Sequence, residues 1–141
     1  MIRELKSSDL SKIKNIYIKS NSAVNLNVPE DHFSKDGLFY INETLHKCQN
    51  WVFENNGQVT GIISVSHDYI EGLFVLPKYW NKGIGSELLK HVLNVKKELR
   101  LQVYENNSNA IRFYKKHGFK ITGGGICHIT GLPYFEMNFP I

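Results

Sequence analysis

The stretch that most constrains this chain runs from Leu73 to Gly85, Leu-Phe-Val-Leu-Pro-Lys-Tyr-Trp-Asn-Lys-Gly-Ile-Gly, and continues into Ser86-Glu-Leu-Leu. An apolar, β-rich run stops at Pro77. A short polar turn and two glycines follow. Ile84, Leu88, Leu89, Val92 and Leu93 then recur at helical spacing, so the order reads strand, glycine loop, helix. Gly83 and Gly85 carry no Cβ, which lets a ligand approach the backbone closely. The first N–H groups of the following helix lack internal partners and lie at its positive end, where an anion such as a phosphate is favoured. A tight strand-to-helix turn with no ligand needs the same glycines.

Two familiar phosphate loops do not fit. A dinucleotide fingerprint needs a third glycine where Leu88 stands. A Walker A loop closes on Gly-Lys-Ser/Thr, whereas Gly85 is followed by Ser86-Glu87. What remains is a Gly-x-Gly loop at the start of an amphipathic helix.

A second stretch narrows the choice. Leu99, Leu101 and Val103 alternate with Arg100, Gln102 and Tyr104, the pattern of a strand with one buried face. After it comes Asn106-Asn-Ser-Asn-Ala-Ile-Arg-Phe-Tyr-Lys-Lys-His-Gly-Phe119. Taken together, Leu73–Ser86 and Asn106–Phe119 resemble the GNAT superfamily of acyl-CoA-dependent N-acetyltransferases. That family's loop is Gln/Arg-x-x-Gly-x-Gly/Ala, and its later signature is Asn-x-x-Ala-x-x-Phe-Tyr-x-x-x-Gly-Phe. Asn107, Ala110, Phe113, Tyr114, Gly118 and Phe119 match the second in full, while the first departs at Trp80, where the family has Gln or Arg.

The resemblance implies an α/β (α+β) fold, in which a mixed, mainly antiparallel sheet of six to seven strands is flanked by about four helices. The sequence fits the order β-α-α-β-β-β-α-β-α-β-β. Ile2 to Leu5 reads as a first strand, and Ser7-Ser-Asp as the cap of a helix carrying Leu10, Ile13, Ile16 and Tyr17. Asn21–Pro29 reads as a polar break. A second helical patch is expected between Glu30 and His46, with Phe33, Leu38, Ile41 and Leu45 inward. Asn56-Gly57 is the preferred two-residue turn of a hairpin between Trp51–Glu54 and Gln58–Ser66. Tyr69–Leu76 then feeds the glycine loop, Gly123-Gly-Gly125 breaks the pattern, and Tyr134–Phe139 is a last strand. A chain of 141 residues without internal repeats or a linker reads as one domain spanning 1–141.

Composition excludes several classes. With 42% hydrophobic and 21% charged residues the chain is ordinary globular protein rather than disordered. No apolar run approaches the roughly 18 residues of a membrane helix, and Met1-Ile-Arg-Glu does not open a signal peptide. Cys48 and Cys127 match no metal spacing and make no disulfide framework. The expectation is therefore a cytoplasmic protein, monomer or homodimer, with no metal, no membrane and no nucleic acid. Residues 78–120 carry ten Lys/Arg against three Glu, a balance of +7, while the remainder carries seven against ten. Two solvated faces give the same imbalance. The resemblance supplies a partner for the basic half in coenzyme A, with its pyrophosphate and ribose phosphate, and the acidic remainder suits a cationic amine.

The resemblance also implies a site. Two neighbouring parallel strands, Ile70–Leu76 and Leu99–Tyr104, splay apart, and the pantetheine arm of acetyl-CoA pairs with the main chain of Leu73, Phe74 and Val75 as an added strand does. Trp80, Asn81, Lys82, Gly83, Ile84, Gly85 and Ser86 form the pyrophosphate loop, with the Lys82 ammonium as counter-charge. Trp80 either packs against the cofactor or shields the loop. Asn107 and Asn109 share one assignment, an amide that meets the pantetheine or caps the helix, and Phe113 is a packing residue of the same helix. Tyr114 is the acid that protonates the departing thiolate; its structural alternative is a phenol packed against the sheet. Glu71, the only carboxylate in Tyr69–Leu76, is the base that deprotonates the amine, with Asp68, His67, Gln102 and Glu136 as alternatives. No Ser/His/Asp or Cys/His arrangement stands out, although Cys127 lies next to His128. The expected activity is direct acetyl transfer to a primary amine of a protein (lysine or N-terminus) or a small molecule. The alternative is a GNAT-shaped module that holds acyl-CoA without turnover.

Overall fold

The structure, a computed structural model, describes residues 1–24 and 30–140. Its strands are β1 (Ile2–Glu4), β2 (Gln49–Asn55), β3 (Gln58–Ser66), β4 (Tyr69–Val75), β5 (Leu99–Tyr104), β6 (Lys120–Ile126) and β7 (Pro133–Phe139). Its helices are α1 (Leu10–Val24), α2 (Glu30–Phe39), α3 (Ile84–Val95) and α4 (Ser108–Lys116). The order of elements is the expected one. The chain divides into two compact units, Met1–Asn94 and Val95–Ile141, where the sequence reads as one domain.

In the first unit β1, β2, β3 and β4 pair antiparallel in that order. β3 is the centre, and from Val59 to Val65 it is buried at every residue. One side of the sheet is closed by α1 and the segment after α2: Ile13, Ile16, Tyr40, Leu45, Val52 and Ile62 form one buried cluster. α3 closes the other side, since a Cβ added to Gly61 would stand 3.2 Å from both Ile84 and Leu88. Leu88, Leu89 and Val92 are fully buried there, each contributing on the order of 1.5–3 kcal/mol of apolar transfer. The β2–β3 turn holds Asn56 at φ 53° and Gly57 at φ 77°, the double left-handed geometry for which Asn-Gly is suited.

Three expectations change. α1 runs on through Asn21 and Ser22 to Val24, and Asn21 is held by an Nδ2 bond to the Tyr17 carbonyl at 2.8 Å, so the polar break does not begin at Asn21. The rest of that break, 25–29, lies outside the described residues. The patch after Glu30 is not one continuous helix. α2 passes into a π-helical turn, Tyr40–Thr44, and then a short 3-10 turn, Leu45–Lys47. Phe33, Gly37 and Tyr40 are buried at ordinary helical spacing and Leu45 follows them inward, whereas Leu38 lies off that face and is 47% exposed. Ser7-Ser-Asp forms a 3-10 turn rather than a serine cap, and the Asp9 carboxylate accepts the Lys6 N–H at 2.8 Å.

In the second unit β5 pairs with β7 and β7 with β6, all antiparallel. Gly123, Gly124 and Gly125 lie inside β6 and do not end it. They are there for room, because a Cβ at Gly124 would fall 2.7 Å from the Tyr134 carbonyl and one at Gly125 2.8 Å from the Tyr134 hydroxyl. Tyr114 of α4 packs its ring on Phe119 at 5.3 Å, and Phe119 on Phe139 at 5.5 Å.

The start of the chain is held by one guanidinium. Arg3 donates to both carboxylate oxygens of Asp9 at 2.9 Å and to Glu54 Oε2 at 2.8 Å. Asp9 is 4% exposed, and its bond to Arg3 holds its carboxyl below the ordinary range. A depressed folded value contributes stability above the unfolded carboxylate pKa of about 3.9, and that contribution disappears as pH falls through the folded value. Arg3→Met is therefore expected to lower unfolding free energy by about 1–3 kcal/mol at pH 7, with the gap to wild type closing toward pH 3. Denaturant titrations at both pH values measure it, and an equal gap at both would show that Asp9 does not carry the effect.

Candidate functional site

The site residues of the first unit are set out by β4 and the loop that leads from it into α3. The Leu76 N–H donates to the Thr60 carbonyl at 2.9 Å, so Leu76 belongs to the bonded pairs of the β3–β4 ladder. Alternation then gives Phe74, opposite Ile62, and Gly72, opposite Ser64, to the same ladder. The main-chain groups of Leu73 and Val75 point to the other edge of the strand. The expectation for Phe74 is corrected accordingly: its amide and carbonyl belong to β3, and its ring meets Tyr17 at 5.0 Å and Tyr40 at 5.5 Å. On that edge Leu73 offers its N–H and carbonyl to an added strand, and Val75 its N–H alone, because the Val75 carbonyl is taken within the chain.

After β4, Pro77–Tyr79 makes a 3-10 turn, and the loop carries Asn81 at φ 63° and Gly83 at φ 83°. The left-handed turn at Gly83 leaves open space where a Cβ would be. The first helical bond of α3 runs from the Glu87 N–H to the Gly83 carbonyl at 3.0 Å. The N–H groups of Ile84 and Gly85 therefore precede the α3 ladder and point out of the helix start, with Asn81, Lys82 and Gly83 exposed before them. Ser86 lies one residue further into the first turn. The ammonium groups of Lys78 and Lys82 lie over the Tyr79 ring, 5.2 and 5.7 Å from its centre. Positive charge is thus concentrated beside a helix N-terminus, which suits a phosphate-bearing ligand.

Trp80 has a role that the sequence did not disclose. Its indole N–H donates to the Val75 carbonyl at 2.7 Å, tying the glycine loop back to the end of β4. The indole N–H is spent on the protein's own backbone.

Glu71 is exposed and sits where the β3–β4 register slips. Ser64 opposes Gly72 but Val65 opposes Ile70, so Glu71 is an extra residue on β4. Its charge bears on two neighbours, helping to raise the Tyr40 phenol and the Cys48 thiol, both of which are raised chiefly by burial, Cys48 to about 11. His67 is a turn residue at φ 57°, with Asp68 beside it in the same turn.

The second unit holds the remaining candidates. Asn107, not Asn109, caps α4: its Oδ1 accepts the Ala110 N–H at 3.2 Å. Asn109 lies in the first turn, exposed, and its Oδ1 accepts from Arg112. Phe113 stacks near Tyr114 and His117, at 5.1 and 4.8 Å, as a packing residue does. Tyr114 is 8% exposed, and burial pushes its phenol well above the ordinary value. Gln102 and Glu136 face each other across β5 and β7, with the Glu136 carboxylate lying over Gly123.

Sequence reasoning did not find the state of Cys127. The thiol is lowered to about 7, first by the Thr130 hydroxyl and then by the N–H groups of Thr130 and Ile129. The Tyr104 hydroxyl also donates to its sulfur at 3.7 Å. His128, the neighbour in sequence, is exposed and is not among these causes. The signal was Thr130, three residues on, where a hydroxyl returns across a tight turn. Among the described residues no group of three or more His, Cys, Asp or Glu can hold a metal ion, and no helix is long and apolar enough to cross a membrane.

Comparison with known proteins identifies the family and the fold. The model of the acetyltransferase (GNAT) family matches residues 11–119, spanning both motifs. The chain is 31% identical over 143 residues to the peptidyl-lysine N-acetyltransferase YiaC of Escherichia coli, covering 100% of this chain and 97% of YiaC. The solution structure of apo YjaB from Escherichia coli superposes with a TM-score of 0.83 at 25% identity, over 99% of this chain and 96% of that one. The PaiA N-acetyltransferase of Thermoplasma acidophilum, solved in complex with coenzyme A, gives 0.85 at 20% identity, over 100% and 98%.

The Trp80 bond can be tested alone. Trp80→Phe keeps the ring and deletes the donor, and one hydrogen bond of this kind contributes about 0.5–1.5 kcal/mol. Acetyl-CoA binding, read by calorimetry, is expected to weaken roughly 2- to 10-fold. An unchanged affinity would mean that the loop keeps its shape without the indole.

Proposed function

Because this chain belongs to the GNAT family of N-acetyltransferases, we propose that it transfers the acetyl group of acetyl-CoA directly to the side-chain amine of a lysine in a protein or peptide. The observation that carries the reading is the sequence of parts on the first unit: the outward N–H and carbonyl of Leu73 and the outward N–H of Val75, then the loop, then the start of α3. A pantetheine arm is an extended amide chain and pairs with an extended strand. A pyrophosphate is an anion and takes helix-start N–H groups with Lys82 beside them. The full-length likeness to YiaC supports lysine as acceptor over a small amine.

In this reading Glu71 accepts a proton from the lysine ammonium, which frees a lone pair. The amine nitrogen attacks the thioester carbonyl carbon, forming the new C–N bond. The tetrahedral adduct collapses, the C–S bond breaks, the sulfur leaves as a thiolate that takes the Tyr114 proton, and the attacking nitrogen releases its second proton to solvent, from which Tyr114 is reprotonated. A phenol raised by burial stays protonated through the neutral and alkaline range, so the acid is loaded whenever the base is. The Oδ1 of Asn107 is committed to the α4 cap and that of Asn109 to Arg112, so either amide would meet the cofactor through its Nδ2. Acetyl transfer by this route needs no acyl-enzyme, and the Cys127 thiol has no part in it.

The reading is tested in three steps. Acetyl-CoA is expected to bind selectively over NADH and ATP by calorimetry, after which a screen of lysine peptides and small amines identifies the acceptor. Transfer only to small amines would replace the lysine assignment. Tyr114→Phe is expected to lower kcat roughly 10²-fold or more with acetyl-CoA affinity little changed; an unaltered rate sinks the acid role. Its titration falls above the ordinary phenol value of about 10, so the wild-type rate should not decline with pH before that point. Glu71→Gln should abolish the acidic limb of the pH–rate profile, and Cys127→Ala should leave turnover intact.

A further inference from the structure

The π-helical turn after α2 places one side chain where nothing in the motifs required it. Tyr40, the first residue of the turn, is 4% exposed, and its hydroxyl meets Ser64 Oγ at 2.5 Å in the interior. Ser64 is itself fully buried and lies opposite Gly72 in the β3–β4 ladder. A Cβ on Gly72 would stand 3.2 Å from the Tyr40 hydroxyl and 2.5 Å from the Phe74 ring. Glycine at 72 therefore makes the space that the Phe74 ring fills and that the Tyr40 hydroxyl borders. Three elements meet at this point, one step from the irregularity that leaves Glu71 unpaired.

The irregularity decides where Glu71 goes. Gly72 and Phe74 lie on the face that Tyr40 covers. Strict alternation would send Glu71 to the opposite face, which α3 covers with Ile84 and Leu88. The extra residue gives that buried place to Ile70, 5% exposed, and leaves Glu71 in the open with its charge on the Tyr40 and Cys48 side. Bulges of this kind re-aim a side chain, and π turns recur at functional sites.

We propose that Tyr40 and Ser64 are positioning residues that lock the β3–β4 slip at Ser64–Gly72 and so aim the Glu71 carboxylate at the acceptor amine. The inference rests on Glu71 as the base. Tyr40 does not touch the substrate in it. The phenol wedges against Gly72, the hydroxyl bond to Ser64 fixes its depth, and the register on either side of Glu71 cannot slide. Without the bond the ring still packs on Tyr17 and Phe74, at 5.1 and 5.5 Å, so the fold survives while the wedge loosens. The base then spends less time in line with the amine, an error to which proton transfer and attack are sensitive.

The test is a double-mutant cycle on the full chain, using the acceptor found in the screen and following release of the coenzyme A thiol. Tyr40→Phe is expected to lower kcat about tenfold with KM for acetyl-CoA within about twofold, since it acts through orientation. In the Glu71→Gln background the same substitution should have almost no further effect, because the group it aims is gone. Ser64→Ala should behave as Tyr40→Phe does, and serves as the second probe if Tyr40→Phe lowers the melting temperature below the assay range. Additive losses, or a loss residing in KM for acetyl-CoA, would overturn the positioning role while leaving Glu71 as base. If Glu71→Gln alone has no effect, the base assignment fails and the inference fails with it.

Discussion

The ladder between β3 and β4 governs the first unit. At one end the Leu76 N–H bonds to Thr60, and at the other the Ser64–Gly72 pair gives way to Val65–Ile70. Between these points strict alternation fixes which backbone groups belong to the sheet and which face outward. Leu73 and Val75 can present an edge because Gly72 and Phe74 are held on the other side. That the outer edge stops at Val75 follows from Trp80, whose indole closes the last carbonyl. The strand edge and the position of Glu71 are consequences of a single register.

Burial at the two chemical positions runs in opposite directions. Tyr114 is buried and raised, which keeps its proton in place, while Glu71 is exposed at a bulge, where a carboxylate can stay charged. The proposed proton donor and the proposed proton acceptor thereby differ in environment. The fold achieves this with ordinary means: an aromatic stack of Tyr114, Phe119 and Phe139 in one unit, and one supernumerary strand residue in the other.

The order of elements was legible because it rests on local signals. Asn56-Gly57 specifies its turn by φ alone, the Leu99–Val103 alternation specifies a strand, and Gly83 specifies a helix start. What escaped the sequence depends on contacts distant along the chain. The glycines at 123–125 look like a break until Tyr134 and Glu136 are seen lying against them. Leu38 is apolar and reads as inward, but the buried face of α2 runs through Phe33, Gly37 and Tyr40, and a glycine at its centre gives no apolar signal. Asn107 and Asn109 are equivalent as residue types, and only the bond to Ala110 separates them. Trp80 looked like a defect in a motif, and the missing fact was a carbonyl five residues earlier. Glu71 could be placed on a strand by pattern, but the slip that frees it belongs to a pairing between two strands.

The two cysteines, indistinguishable by composition, are chemically far apart. Cys127 is lowered to about 7 by its hydrogen-bond donors and Cys48 raised to about 11 by burial, so at neutral pH the thiolate is far more populated at Cys127. Alkylating reagents act on the thiolate. The molecule therefore carries an intrinsic attachment point for a fluorophore or spin label on the turn between β6 and β7, addressable without removing the second thiol, from which motion of that turn can be followed in solution.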